Sequence, residues 1–169
     1  MIVEDDAEWR EGLREFLEDF PGIEVVGCAS GIGEIGDVLS ASKPDIVLMD
    51  ILLGDREATG LDAVLDIADA HPDVKVIVVS SVEHDDELFC DAFLCGAFDY
   101  VYKTEIEKLP QAIYEAAVDK ESKYGNRLRK LAQTMKRQLL TPTDVELLQQ
   151  IAQGLTQQEI AQRNYVSLG

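Results

Sequence analysis

The chain has 169 residues, an apolar fraction of 46% and a formal net charge of −18, which suits one domain of ordinary size, or one domain with a small appendage. So acidic a balance argues against a nucleic-acid surface over the whole chain; no apolar run approaches the ~20 residues of a membrane span, and Met1-Ile2-Val3 meets acids too soon for a signal peptide. The charge is unevenly spread: residues 1–119 carry 7 Lys and Arg against 29 Asp and Glu, a net of −22, while residues 120–169 carry 8 against 4, a net of +4. That break separates an acidic first domain from a mildly basic second segment. Cys28, Cys90 and Cys95 are odd in number and lack a metal-type spacing, so buried, reduced thiols of a cytoplasmic protein are expected.

Ile2 and Val3 form a short apolar start that runs into Glu4-Asp5-Asp6. The next helix carries Trp9, Leu13, Phe16, Leu17 and Phe20 at helical spacing and stops at Pro21-Gly22. Residues 23–28 are predicted as a second strand, 31–42 as a helix with Ile35, Val38 and Leu39 inside, and Ile46-Val47-Leu48-Met49 as a third strand, buried on both faces and ending on Asp50. After a polar loop, 61–70 is predicted as a helix with Leu61, Val64, Leu65 and Ala68 facing inward. Val76–Val79 is a fourth strand ending on Ser80-Ser81. Residues 86–95 form a helix with Leu88, Phe89, Ala92 and Phe93 inside, capped by Gly96. Phe98 to Tyr102 is a fifth strand ending on Lys103, and 105–119 a fifth helix with Leu109, Ile113, Ala116 and Ala117 inside. Strands alternate with helices five times, which predicts a parallel sheet covered on both faces.

In such a sheet the carboxyl ends of the strands share one edge. Glu4 and Asp5, Asp50, Ser80 and Lys103 therefore converge. Taken singly, each has a plainer explanation: a turn, a helix cap, a solvated charge. Together they form a coherent chemistry. Clustered carboxylates raise one another's pKa, and Mg²⁺, which takes a few carboxylates plus waters and a phosphate, removes that conflict. Asp50 is then a candidate nucleophile toward a phosphoryl group, Lys103 a neutralising ammonium, and Ser80 a hydroxyl for a phosphate oxygen.

Val3-Glu4-Asp5, Pro44 through Asp50, Val78-Val79-Ser80 and Gly96 through Lys103 closely resemble, in order and spacing, a bacterial response-regulator receiver domain over residues 1–118. The resemblance implies the flavodoxin-like strand order 2-1-3-4-5. It implies that Asp50 is the phospho-acceptor, charged by a sensor histidine kinase. Glu4, Asp5, Asp50 and the backbone carbonyl of Leu52 would be the Mg²⁺ ligands, with Asp6 outside the pair and capping the first helix. Ser80 and Tyr100 match the family's switch pair: Ser80 would turn toward the phosphate and Tyr100 move inward behind it. The resulting population shift would fall on the face of helix four, strand five and helix five. The sequence departs from the family pattern in a short first strand, in a loop after Asp50 about two residues longer than usual and without its usual proline, and in Thr104, where many relatives have proline.

Residues 119–139 read as a basic, amphipathic helical linker with Leu128, Leu131, Met135 and Leu139 in one stripe, which suits packing on the chain's own domain or a homodimer seam. Residues 140–169 hold two short helices around Gly154, the second opened by the capping box Thr156-Gln157-Gln158-Glu159. Leu140-Thr141-Pro142 and Ile151 through Ala161 resemble the LuxR-type DNA-binding domain of the NarL/FixJ response regulators. The family's recognition helix, which reads bases, would begin near Tyr165, so DNA binding by these 169 residues is expected to be weak or absent.

The leading expectation is thus a phosphorylation-dependent regulator of transcription that is not an enzyme. The alternative is a phosphate-independent, receiver-like dimerisation module. An aspartate-nucleophile phosphatase fits less well, because such enzymes place an acid two residues past the nucleophile, where this chain has Leu52. His71 and His84 are isolated among polar neighbours and read as surface histidines.

Overall fold

The computed structural model describes residues 1–54, 60–119, 122, 124, 125 and 128. The strands form where short apolar runs can be buried from both sides. β1 is Ile2–Val3, β2 Cys28–Ala29, β3 Ile46–Met49, β4 Lys75–Ser80 and β5 Asp99–Tyr102. They make one parallel sheet in the order β2-β1-β3-β4-β5, the flavodoxin-like order predicted. The intervening helices are α1 (Ala7–Glu18), α2 (Ile32–Ser42), α3 (Gly60–Ala70), α4 (Asp86–Leu94) and α5 (Leu109–Val118).

Strand alternation divides the core in two. Val47, Met49, Val76 and Val78 meet Ile35 and Leu39 of α2, Val64 and Ile67 of α3, and Phe93 of α4. Leu48, Ile77, Val79 and Val101 point the other way, to Leu13 and Leu17 of α1 and to Leu109, Ile113 and Ala116 of α5. Full burial of a side chain such as Phe93 stabilises the fold by roughly 1.5–3 kcal/mol. Asp6 caps α1, its carboxylate accepting the amides of Glu8 and Trp9 at 2.9 Å each.

Several boundaries and faces differ from expectation. The second strand is confined to Cys28–Ala29 rather than 23–28, because β1 offers only Ile2 and Val3 to pair with. The fifth strand starts at Asp99, not Phe98. The fifth helix does not run from 105: a 3₁₀ turn over Lys103–Lys108 breaks at Glu105 (φ −118°, ψ 34°), and the α-helix starts at Leu109 with Pro110 in its first turn. Leu65 is 44% exposed, because the inner face of α3 runs Gly60, Ala63, Val64, Ile67. That phase is set by Gly60, where a Cβ would lie 2.4 Å from the Asp50 carbonyl oxygen and 2.5 Å from the Ile51 Cα. Ala117 is exposed and Ala112 buried in its stead. Gly96, at φ +113°, ends α4 in a conformation that L residues avoid, with its α-hydrogen face against Ala68. The three cysteines are free and half-buried rather than buried, and His71 and His84 are exposed.

Among the described residues there is no cis peptide bond, and no helix is long and apolar enough to cross a membrane. The chain divides into two compact units, Met1–Arg129 and Lys130–Gly169. All described residues belong to the first. The predicted helix-turn-helix at 140–169, and all of the predicted linker 119–139 except Asp119, Ser122, Tyr124, Gly125 and Leu128, lie outside them.

Candidate functional site

At the carboxyl edge of the sheet β1 delivers Glu4 and Asp5, β3 delivers Asp50, β4 ends in Ser80 and β5 leads into Lys103. The strands end together because their registers align: Val3 pairs with Met49, Met49 with Val78, and Ser80 with Tyr102. Glu4 and Asp50 are buried, at 3% and 4% exposure, while Asp5 faces solvent. One oxygen from each of Glu4, Asp5 and Asp50 can be chosen so that all lie within 4.8 Å of one another.

Lys103 joins this cluster. Its ammonium donates to Glu4 Oε2 and to Asp50 Oδ2, both at 2.7 Å. Backbone amides hold three more carboxylate oxygens: the Leu52 amide donates to Asp50 Oδ1 at 2.9 Å, the Gly54 amide to Asp5 Oδ2 at 3.1 Å, and the Asp6 amide to Glu4 Oε1 at 3.3 Å. The loop after Asp50 is thereby tied to the acids at its start; residues 55–59 lie outside the described set. Burial pushes the Glu4 carboxyl above the usual glutamate value, a shift that the Lys103 hydrogen bond only partly opposes. Burial pulls the Lys103 ammonium down, but its bonds to Asp50 and Glu4 outweigh this and leave it above the usual lysine value. The cluster is therefore a half-buried cation shared between two buried carboxylates, an arrangement that costs desolvation.

Ser80 is fully buried, and its Oγ accepts the Val82 amide at 3.1 Å. Tyr100 is also buried. Its phenol is raised by desolvation and drawn back by a side-chain hydrogen bond with Ser80. The Tyr100 ring touches Tyr102 and Phe89, both with centroids at 5.3 Å. Phe89 stacks edge-on with Phe93 at 4.9 Å, and Phe93 meets Tyr124 at 5.9 Å. Leu128 packs against the same apolar cluster. The five residues predicted to converge thus end on one sheet edge, with Tyr100 behind Ser80. The Leu52 side chain is 53% exposed, and its amide is on Asp50.

The sequence model of the response regulator receiver domain family matches residues 1–114. The chain belongs to the response regulators. It is 30% identical to the response regulator protein VraR of Staphylococcus epidermidis over 176 aligned positions, covering 99% of this chain and 82% of that protein. It is equally similar, over 177 positions, to the transcriptional regulatory protein LiaR of Bacillus subtilis, with the same coverage. Among solved structures it resembles a two-component response regulator of the LuxR family from Aurantimonas, with a TM-score of 0.65 and 28% identity over 79% of this chain and 96% of that one. The chain is therefore a two-component response regulator of the LuxR type.

In this receiver two contacts at the acid edge were not legible in the sequence. The Arg10 guanidinium donates to the carbonyls of Glu4 at 2.6 Å and Asp5 at 3.4 Å, bracing the backbone that carries the acid pair. The Trp9 ring lies under the Lys103 ammonium, 5.2 Å from its centroid. Helical spacing marked Trp9 only as an inner-face residue. A single tryptophan one helical turn past the acids was the available signal.

Proposed function

We propose that Asp50 accepts a phosphoryl group from the phosphohistidine of a sensor histidine kinase, with Mg²⁺ bound, and holds it as a signal that controls transcription. The observation that carries this reading is the Lys103 ammonium shared at 2.7 Å between Asp50 and Glu4 within the three-carboxylate cluster. All-oxygen donors packed this closely suit a hard divalent cation. Glu4, Asp5 and Asp50, with the Leu52 carbonyl, would hold it, and it would supply charge neutralisation for the phosphoryl oxygens.

In the transfer a carboxylate oxygen of Asp50 forms the new bond to phosphorus as the phosphorus–nitrogen bond of the donor breaks, its electron pair leaving with the imidazole. Lys103 moves from Asp50 toward the phosphoryl oxygens, where its charge offsets the one that arrives. Ser80, released from Val82, hydrogen-bonds a phosphoryl oxygen, and Tyr100 follows, carrying its ring contact with Phe89. The protein turns over no substrate beyond its own phosphorylation and dephosphorylation. Its partners are the cytoplasmic kinase, a second copy of itself and, as a regulator of transcription, DNA.

Intact-mass measurement after incubation with Mg²⁺ and a small-molecule phosphodonor tests this. One phosphoryl adduct is expected, absent in Asp50→Asn. No adduct in the native protein would overturn the reading in favour of phosphate-independent dimerisation, while sustained turnover of phosphate esters would favour a phosphatase.

A further inference from the structure

We infer that Trp9 is a positioning residue for Lys103: the face of its indole holds the ammonium in place while the carboxylate partners of that ammonium change. The inference rests on the phospho-acceptor reading of Asp50 and adds to it a residue outside the acid, hydroxyl and lysine set.

Three observations support it. The Lys103 side chain is 16% exposed, with its ammonium 5.2 Å from the Trp9 ring centroid, within the range at which a ring face attracts a cation. The Trp9 Nε1–H is buried and, among the described residues, has no acceptor. A tryptophan kept for its N–H would have that group satisfied; here the ring face makes the polar contact and the N–H does not. Finally, Trp9 sits in a fixed frame. Its amide is bound by the Asp6 cap at 2.9 Å, and the next residue, Arg10, braces the carbonyls of Glu4 and Asp5.

The chemistry explains why an aromatic face suits this position. Lys103 is attracted by two carboxylates, and to serve a phosphoryl group it must leave at least one of them. A third carboxylate would bind the ammonium more tightly, yet it would compete with the phosphoryl oxygens and repel the incoming charge. An aromatic face attracts the ammonium without a formal charge and without a fixed lone-pair direction. Lys103 can then shift across the ring as its partners change.

The test compares Trp9→Leu with Trp9→Phe, using Mg²⁺ and acetyl phosphate and following the phosphoryl adduct by intact mass. Loss of the aromatic face in Trp9→Leu should slow phosphorylation by about 5-fold. Trp9→Phe, which keeps a face and removes the orphaned N–H, should stay within about 2-fold of the native rate. In a Lys103→Ala background, Trp9→Leu should have no further effect on the residual rate. Equal losses in the Phe and Leu variants, no loss in either, or an undiminished Leu effect without Lys103 would each overturn the inference. Circular dichroism and urea midpoints establish that the variants are folded. A second readout needs no phosphodonor. Trp9 is the only tryptophan, so its fluorescence should change on Lys103→Met, and unchanged emission would overturn the contact. Were the native protein to form no adduct, the phospho-acceptor reading would fall, and the fluorescence result would still decide whether Trp9 and Lys103 are in contact.

Discussion

Two lysines occupy opposite edges of the same sheet and are bound in similar ways. Lys75, at the start of β4, sits 5.1 Å over the Phe98 ring and donates to the carbonyls of Ala116 and Asp119 at the end of α5. Lys103, just past β5, sits 5.2 Å over the Trp9 ring and donates to the carboxylates of Glu4 and Asp50. The difference lies in the acceptors. Carbonyls at a helix C-terminus carry a fixed partial charge that suits a cation; they neither ionise nor react, so Lys75 clamps α5 to the sheet. Carboxylates ionise, bind metal and can be phosphorylated, so the partners of Lys103 can change. A lysine on an aromatic face is structural where its acceptors are inert; under the proposed phospho-acceptor role of Asp50, Lys103 on its own ring would be functional because its acceptors are reactive.

Substitutions at the two lysines should separate these roles. The largest effect is expected from Lys103→Ala, which removes a cation shared by Glu4 and Asp50. Phosphorylation of Asp50 should slow by roughly 10²-fold, as when a charge-stabilising donor is removed from a reacting centre, and intact mass over time measures it. Lys75→Met should leave that rate within about 2-fold and instead lower stability by about 1 kcal/mol, the cost of leaving half-buried carbonyls without their ammonium, read from urea denaturation. If the two variants exchanged these signatures, the contrast would be wrong. Phe98→Leu removes the ring beneath Lys75 while keeping an apolar side chain, and should cost under about 1.5 kcal/mol with no change in phosphorylation. The rate should fall only when the ring under Lys103 is the one removed.

The smallest effect concerns the frame of Trp9. The amides of Trp9 and Glu8 hold the Asp6 carboxyl below the usual aspartate range. A carboxyl with a lowered folded-state pKa stabilises the fold above its unfolded value near 3.8, and that contribution is lost as pH falls through the folded value. Asp6→Asn keeps the capping geometry without the charge. Its melting temperature should lie below that of the native protein at neutral pH, and the gap should close in acid. A gap that did not change with pH would show that the charge of Asp6 contributes nothing beyond its cap.

Most of the acid edge was legible because strand-end residues follow from strand assignment alone. Once Ile46–Met49 and Val76–Val79 read as buried parallel strands, Asp50 and Ser80 had to share an edge with Glu4 and with Lys103. The elements that were misjudged are those where pairing or packing overrides local pattern. Residues 23–27 have strand-like composition but find no partner beyond the two residues of β1. Leu65 matches a helical period and is nevertheless exposed, since Gly60 sets the rotation of α3 by its close approach to the Asp50 carbonyl. Pro110, in the first turn, marks the true start of α5 at Leu109, four residues after the break at Glu105.

By itself the sequence determined the alternation of strands and helices, the strand ends and hence the set of groups at the edge, because these depend on apolar runs and on the residues that interrupt them. Only the tertiary structure decided which of those groups bond to one another. That Lys103 bridges Glu4 and Asp50, that Trp9 lies beneath it, and that the Tyr100 ring packs on Phe89 and Tyr102 depend on register and helix rotation. Those are set by packing across the whole sheet, not by any stretch of chain read alone.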